Sequence, residues 1–398
     1  MESGTKQRLL ALFEKADFAA AEQIVSHALR AAPSDVDTLV MRARLRAFQG
    51  AVDAAMIVID RALKASPSHH EARATKAALL VERGKVNEAK VILTTLVGEP
   101  NAPAAAHFCY GSCLAHDGAW PAARLAFEKA LQLEPDNVVT QGALAEAVLE
   151  TGDAQRALAL VSATLEKDPG NGDAWLVLAR AQLSLGHEGD AMRNLQQAVG
   201  QVPRHVGVRE LLATTLLLAG DADTALLHLE QLSAQLPNDA EVRCKLGLAY
   251  AALERLEESE QSFRLALKFE PDNVLARLQL VALLDLNGSR EALREAVKLL
   301  KEAVRSPVCG YEVWLELGRL LTTRPAVLEG PRGFDALERA RRLMPDDPEP
   351  LLQFALVNQE AGRGSVAREA AERVMAHLGT SDAQREMAKT LLQQAAPL

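Results

Sequence analysis

Residues 104–137, AAAHFCYGSCLAHDGAWPAARLAFEKALQLEPDN, contain the features that decide the fold of this chain. About fourteen residues with helical periodicity precede Gly118, and about thirteen more lead from it to Pro135. Glycine readily adopts the left-handed conformation that ends a helix, and proline cannot continue one. The stretch therefore predicts two helices joined by a tight turn.

The same pattern of residues recurs every 34 residues along the chain. One series of prolines, missed only at Asn101, comprises Pro33, Pro67, Pro135, Pro169, Pro203, Pro237 and Pro271. A series of glycines, broken only at Glu254, comprises Gly50, Gly84, Gly118, Gly152, Gly186, Gly220 and Gly288. A third series comprises Ala55, Ala89, Ala123, Ala157, Ala191 and Ala225. Such self-similarity at a fixed period identifies a repeat architecture.

Each repeat is expected to place its alanine where two antiparallel helices approach closely. The PDN sequences at 135–137 and 271–273 predict a turn followed by the N-cap of the next repeat. The composition agrees, because small unbranched helix formers dominate and only 4% of the residues are aromatic. That mixture disfavours a β-sandwich, and a charged fraction of 24% with balanced hydropathy disfavours wholesale disorder.

These residues resemble the tetratricopeptide repeat family, whose repeat reads W-x2-L-G-x2-Y, then G, A, F, A and P. Residues 104–137 match at Gly111, Leu114, Gly118, Ala123, Phe127, Ala130 and Pro135. A second good match comprises Trp314, Leu317, Gly318, Ala340 and Pro345.

The resemblance implies an all-α fold, a right-handed superhelical α-solenoid of about eleven helix-turn-helix repeats within residues 1–381. We expect repeats to start near residues 2, 36, 70, 104, 138, 172, 206, 240, 274, 311 and 348. Residues 382–398 would form a capping helix and a tail, with polar side chains shielding the last apolar face.

Two repeats, 274–310 and 311–347, are three residues longer than the others. In the first, the sequence SREALREAVKLLKEAV from Ser289 predicts a second helix that is longer by one turn. In the second, the sequence RPAVLEGPRG at 324–333 predicts a protruding loop. That loop is either a tolerated surface insertion or a contact for a partner.

No catalytic or cofactor-binding motif occurs in the sequence, so we expect no enzymatic activity, no catalytic residues and no cofactor. One cluster could bind a metal, since Cys109, Cys113 and His116 share a helical face. The alternative is that both cysteines are small apolar residues suited to tight helix contacts. Because no fourth ligand lies nearby in the sequence, we expect no metal site.

The net charge of −9 disfavours nucleic acid and anionic lipid as partners. No run of eighteen apolar residues occurs, so membrane insertion is not expected. Charged residues follow the short apolar stretch near the N-terminus too soon for a signal peptide, and the four cysteines suit a reducing compartment. We expect a cytoplasmic location, or a periplasmic one if an export signal is missing. The oligomeric state stays open.

In tetratricopeptide arrays the first helix of each repeat lines a concave surface that holds peptides or partner helices. The resemblance therefore implies a partner-binding groove that is largely apolar, with two arginines. Its predicted lining is Val40, Arg44, Phe48, Phe108, Leu149, Leu176, Arg180, Leu183, Leu217, Leu218, Leu248, Leu278 and Leu286. The open alternative is that adjacent first helices bury about half of this set against each other.

Acidic residues lie among the predicted lining residues, so an apolar segment carrying a few basic residues is the expected ligand. They include Asp37, Glu71, Glu146, Glu150, Asp173, Glu210 and Glu241. The sequence therefore predicts a non-enzymatic scaffold or adaptor that binds a protein or peptide. The alternative is the repeat portion of a bacterial-type envelope apparatus, such as one that assembles exopolysaccharide or pili.

Overall fold

The computed structural model describes residues 3–15, 17–306, 309–324, 333–344 and 348–394. Within these residues the chain forms 23 α-helices and no β-strand, which confirms the predicted all-α class. The chain divides into two compact units, Met1–Leu211 and Leu212–Leu398, and each is described by itself.

The first compact unit consists of helices of 11 to 14 residues joined by short turns. They are α1 Ser3–Glu14, α2 Phe18–Ala31, α3 Val36–Phe48, α4 Val52–Ala65, α5 His70–Glu82, α6 Val86–Leu96, α7 Ala104–His116, α8 Trp120–Leu133, α9 Val138–Glu150, α10 Ala154–Lys167, α11 Gly172–Ser184, α12 Glu188–Gln201 and α13 Val206–Leu218, in which the division between the units falls.

The second compact unit continues the same alternation of helices and turns. Its helices are α14 Ala222–Gln235, α15 Ala240–Ala252, α16 Leu256–Phe269, α17 Val274–Asn287, α18 Arg290–Ala303, α19 Tyr311–Thr323, α20 Gly333–Leu343, α21 Pro348–Glu360, α22 Gly364–Ala376 and α23 Asp382–Gln394. The odd-numbered helices from α1 to α21 begin at or within one residue of the predicted repeat starts, which is consistent with eleven hairpins. The handedness of a superhelix stays a prediction.

The helices pack in two ways that together build each unit. The two helices of a hairpin contact each other, as α3 does α4 and α15 does α16. First helices also contact the first helix of the next hairpin, in the series α1, α3, α5, α7, α9 and α11 and in the series α17, α19 and α21. The first helices therefore form a continuous wall within these stretches, whereas the second helices lie behind it.

The turns within the hairpins have the backbone geometry that the glycine series predicts. All seven glycines of the series have positive φ, between 67° and 89°, and Gly362 does so in a later repeat. Glu254, where the series is broken, also has a positive φ of 58°. The hairpin therefore requires a residue in the left-handed conformation at this position. That conformation is retained even at Glu254, where the side chain makes it unfavourable in free energy.

The alanine series and the PDN turns also have the predicted roles. All six alanines of the series are fully buried, as close packing of the hairpin helices requires. Asn137 accepts a hydrogen bond from the Thr140 amide at 3.0 Å, and Asn273 accepts one from the Ala276 amide at 2.9 Å. Both asparagines therefore cap the first helix of a repeat.

The prediction of a longer second helix after Ser289 is wrong. Helix α18 has 14 residues, the same length as α4 or α16, so the extra residues lie between α18 and α19. Arg305 and Ser306 leave the helix through hydrogen bonds to carbonyls three residues earlier. The following residue is Pro307, and the residue before a proline avoids the helical conformation.

Two sequence predictions fall largely outside the described residues. Only Arg324 and Gly333 of the loop at 324–333 are described, and Gly333 is the first residue of α20. Pro345 also lies outside the described residues. At the C-terminal end, α23 contacts both α21 and α22 and buries Ala388 and Leu391 against them.

Candidate partner-binding groove

The first helices of the first four hairpins enclose a groove with a volume of 680 Å³, which we call the N-terminal groove. It lies entirely within the first compact unit, and the connection between α8 and α9 contributes Glu134 and Asn137 to its lining. Its apolar lining is Phe13, Ala47, Phe48, Ala74, Ala78, Leu79, Ala105 and Cys109. Its polar lining is Arg44, Glu71, Thr75, Glu82, Glu134 and Asn137.

An aromatic cluster forms one end of the N-terminal groove. The ring of Phe48 lies 5.4 Å from that of Phe13, in a tilted arrangement, and 6.5 Å from that of Phe18, nearly parallel to it. Phe13 is buried, but Phe48 is 61% exposed. Phe48 therefore offers an apolar face whose position is fixed by the aromatic rings behind it.

An ion pair across neighbouring repeats forms part of the wall. The Arg44 guanidinium on α3 donates to the Glu71 carboxylate on α5, and its Nε donates to Thr75 Oγ1 at 3.2 Å. All three side chains line the groove. The pair fixes the arginine against the wall and neutralises both charges locally.

Glu82 and Glu134 supply the remaining charge. Asn137 Nδ2 donates to Glu134 Oε2 at 3.1 Å, which orients that carboxylate beside the start of α9. Cys109 also lines this part of the groove, and burial together with the neighbouring Cys113 raises the pKa of the Cys109 thiol to about 11. Cys109 is therefore a neutral group at physiological pH, and it contributes apolar surface rather than charge.

Two of the predicted lining residues, Arg44 and Phe48, lie in the N-terminal groove. The structure corrects the prediction at Val40 and Leu149, because only 3% and 9% of their surfaces are exposed, which leaves almost no surface for a partner. Val40 belongs to the core formed by the first repeats. Phe108 is half-buried, with its ring 5.8 Å from that of Phe127 on the second helix of its own hairpin.

Three further predicted residues lie on α11 of the first compact unit. Arg180 pairs with Glu146 at 3.8 Å and with Glu150, both on α9. Leu176 and Leu183 are half-buried, and Leu176 Cδ2 would lie 3.2 Å from a Cβ atom at Gly207. Arg180 and Leu176 therefore contact neighbouring repeats.

The other predicted residues belong to the second compact unit. Leu217, Leu248 and Leu278 are half-buried, and the last two pack against a hydrophobic core. Leu218 and Leu286 are 85% and 69% exposed. They occupy the repeat position that Phe48 occupies in the first compact unit.

Most of the residues that create the N-terminal groove are not among the predicted lining residues. The predicted lining consists mainly of large apolar side chains, but the space arises because Ala47, Ala74, Ala78 and Ala105 are too small to fill it. Phe13 on α1 is also absent from the predicted lining, although it is a large apolar residue. A run of alanines at lining positions, next to a large aromatic residue, is the signal that could have located the groove.

No three histidine, cysteine or acidic side chains come together as a metal site requires in the part of the chain that the structure describes. Of the proposed soft ligands, Cys113 is buried, whereas the side chain of His116 is 70% exposed and lies 3.4 Å from Asp117. None of the described helices is long and apolar enough to cross a membrane.

The chain is similar to several solved structures. A tetratricopeptide repeat protein from Parabacteroides merdae is 17% identical, with a TM-score of 0.51 over 65% of this chain and 98% of that one. TTC0263 of Thermus thermophilus is 25% identical, with a TM-score of 0.39 over 45% and 97% of the two chains. Human IFIT1, in a dimer with m7Gppp-AAAA, is 17% identical, with a TM-score of 0.45 over 86% and 90%.

The expectation that nucleic acid is excluded gains no support from these comparisons.

Among curated proteins, none matches the sequence significantly. Three family models, each described as tetratricopeptide repeat, match residues 7–70 and 75–138, residues 114–169, 148–214 and 187–249, and residues 240–273. Together these matches cover well over half of the chain. The repeat spacing, the hairpin geometry and the family models agree, and the chain belongs to the tetratricopeptide repeat family.

Proposed function

We propose that this protein is a non-enzymatic scaffold or adaptor that binds a peptide or helix of a protein partner in the N-terminal groove. Membership of the tetratricopeptide repeat family supports a role in protein interaction in general. The observation that carries the specific proposal is Phe48, which is 61% exposed above a groove of 680 Å³. A large aromatic side chain that stays exposed beside a concave surface is typical of a binding site.

Binding would be driven by burial of apolar surface. A partner side chain that covers Phe48 and fills the space above Ala74 and Ala78 removes both surfaces from water, and each fully buried large side chain contributes about 1.5–3 kcal/mol. The wall behind them is fixed by the Arg44–Glu71 pair and by the ring of Phe13. Little ordering of the groove is then needed on binding, which favours affinity.

The remaining predicted residues extend this proposal. In the first compact unit, Arg180 and Leu183 on α11 would contact a partner that runs beyond the N-terminal groove. In the second unit, the exposed Leu218 and Leu286 would form a contact surface of their own, with Leu217, Leu248 and Leu278 supporting it. No enzymatic step is required for any of these contacts.

The proposal is tested by comparing Phe48→Asp with Leu125→Asp. Leu125 is 65% exposed on α8, a second helix, and lies outside the N-terminal groove, so it controls for loss of exposed apolar surface. Proteins captured from a native extract by the wild-type chain are identified by mass spectrometry, purified and remeasured by calorimetry. We expect Phe48→Asp alone to abolish binding. A partner that binds both variants equally well would refute the groove assignment.

A further inference from the structure

We infer that the segment bound in the N-terminal groove carries a lysine or arginine that pairs with Glu82 or with Glu134, and an apolar side chain, preferably aromatic, that packs on Phe48. This inference rests on the proposed function, because it names the chemistry of the partner that the same groove would take. It goes further in assigning two subsites of opposite character to two groups of residues.

The charges that line the groove are unbalanced. Among the described residues four charged side chains face it, and two of them, Arg44 and Glu71, neutralise each other. Glu82 and Glu134 are exposed, and no lysine, arginine or histidine of the described residues forms an ion pair with either. Two uncompensated carboxylates therefore remain, and they attract a cationic group and repel an anionic one.

The carboxylate of Glu134 is also held in position. Asn137 Nδ2 donates to it, and Asn137 Oδ1 in turn accepts from the Thr140 amide at the start of α9. Both polar atoms of the Asn137 side chain are thus hydrogen-bonded. The Glu134 carboxylate that it orients therefore loses little conformational freedom when a cation binds. An acceptor arranged in advance is characteristic of a specific subsite.

The apolar subsite is formed by Phe48 and the alanines beside it. Phe48 rests on Phe13 and Phe18, and the alanines of α3 and α5 leave open space beside its exposed face. An aromatic ring from the ligand could stack on Phe48 and fill that space, whereas a polar side chain would gain no hydrogen-bonding partner from phenylalanine and alanine.

An acidic peptide and a nucleic acid are disfavoured by the same observations. Either would bring negative charge to Glu82 and Glu134, and Arg44 is already engaged by Glu71. A phosphate backbone needs free cations for its binding energy, which the groove lacks among its described lining residues.

The test uses the full chain and a phage-displayed library of random twelve-residue peptides. We expect the selected peptides to combine an aromatic or large aliphatic residue with a lysine or arginine and to lack acidic residues. Synthetic fluorescent versions are then measured by anisotropy. Glu82→Lys together with Glu134→Lys should weaken binding by at least about tenfold, and binding to the wild-type chain should weaken as salt is raised.

The control is Glu166→Lys, which makes the charge change of one of those two substitutions at an exposed position of α10 outside the groove and should leave affinity unchanged. Replacing the peptide lysine by glutamate should restore binding to the double lysine variant. Circular dichroism melts check that all variants are folded.

The outcomes separate the inference from the proposed function. Peptides that need Phe48 but are acidic or neutral, or whose affinity is unchanged in the Glu82 and Glu134 variant, would overturn the inference alone. Failure of every selected peptide to respond to Phe48→Asp would overturn the proposed function as well. Displacement of a bound peptide by a single-stranded oligoribonucleotide would contradict the inferred preference for a cationic ligand.

Discussion

Gly111 on α7 lies directly against the ring of Phe127 on α8, so that a Cβ atom at residue 111 would stand 2.6 Å from Phe127 Cε1. The same relationship recurs four repeats later, where a Cβ atom at Gly247 would lie 2.6 Å from Phe263 Cε1. Both rings are buried. The two helices of these hairpins can therefore approach closely only because one of them lacks a side chain at the contact.

Substitution of Gly111 by alanine should destabilise the first compact unit by about 1–3 kcal/mol, because the methyl group overlaps the ring of Phe127 in a packed core. Gly142→Ala is the matched control, since Gly142 lies inside α9 and a Cβ atom there would meet no neighbouring atom within 4 Å. That change should raise stability by about 0.5–1 kcal/mol. Urea unfolding followed by circular dichroism measures both, and equal effects would contradict this account of the contact.

Glu254→Gly should increase the stability of the second compact unit by about 1 kcal/mol. Glu254 has a φ of 58°, which strains a residue with a Cβ atom and does not strain glycine. Glu254→Ala removes the charge but keeps the Cβ atom, so it should leave stability near that of the wild type. Hydrogen exchange of α15 and α16 reports the change locally. If alanine stabilises these helices as much as glycine does, the backbone explanation fails.

Leu149 and Leu218 should respond very differently to truncation, although the sequence assigns both to the same groove. Leu149→Ala should cost about 2–5 kcal/mol, because Leu149 is 9% exposed and its removal leaves a cavity. Leu218→Ala should change stability by less than about 0.5 kcal/mol, since 85% of its surface is exposed. Thermal melts of the two variants decide the matter, and similar losses would show that exposure does not separate these residues.

Alkylation of Cys109 should be slow near neutral pH and should increase steadily toward pH 11. Burial raises the pKa of this thiol to about 11, so the reactive thiolate is scarce below that pH. A peptide bound in the N-terminal groove should slow the reaction at Cys109 further. Cys309, which is also half-buried but lies outside that groove, serves as the control and should be unaffected. Mass spectrometry of tryptic peptides measures both rates, and rapid labelling of Cys109 at pH 7 would contradict the shifted pKa.

Leu391→Asp should loosen the C-terminal end of the second compact unit. Leu391 is buried where α23 packs on the preceding hairpin, and a carboxylate there would be desolvated without a partner. We expect faster hydrogen exchange in α21 and α22, with unchanged exchange in the first compact unit, because repeats depend mainly on their neighbours. Gln393→Asp, at an exposed position of the same helix, is the control. Uniform loss of protection throughout the chain would argue against this local dependence.

The sequence by itself determined the positions of the helices and turns, because the signals that set them act within a few residues. Gly118 supplies a backbone that can turn left-handed, and Asn137 can cap a helix whatever surrounds it. The one wrong helix length, that of α18, arose where the 34-residue spacing is broken and these signals are out of register.

Only the tertiary structure decided which side chains face the groove. Val40 and Phe48 are both apolar residues of α3, yet Val40 is buried and Phe48 is exposed, since the neighbouring helices cover one and not the other. Likewise, the groove exists because Ala74 and Ala78 lie opposite Phe48, and its negative charge remains because Arg44 is taken by Glu71. Helix periodicity gives the face of a helix on which a residue lies. Its exposure and its ion pairs depend on residues about a full repeat away in the sequence, and these are brought together only by packing.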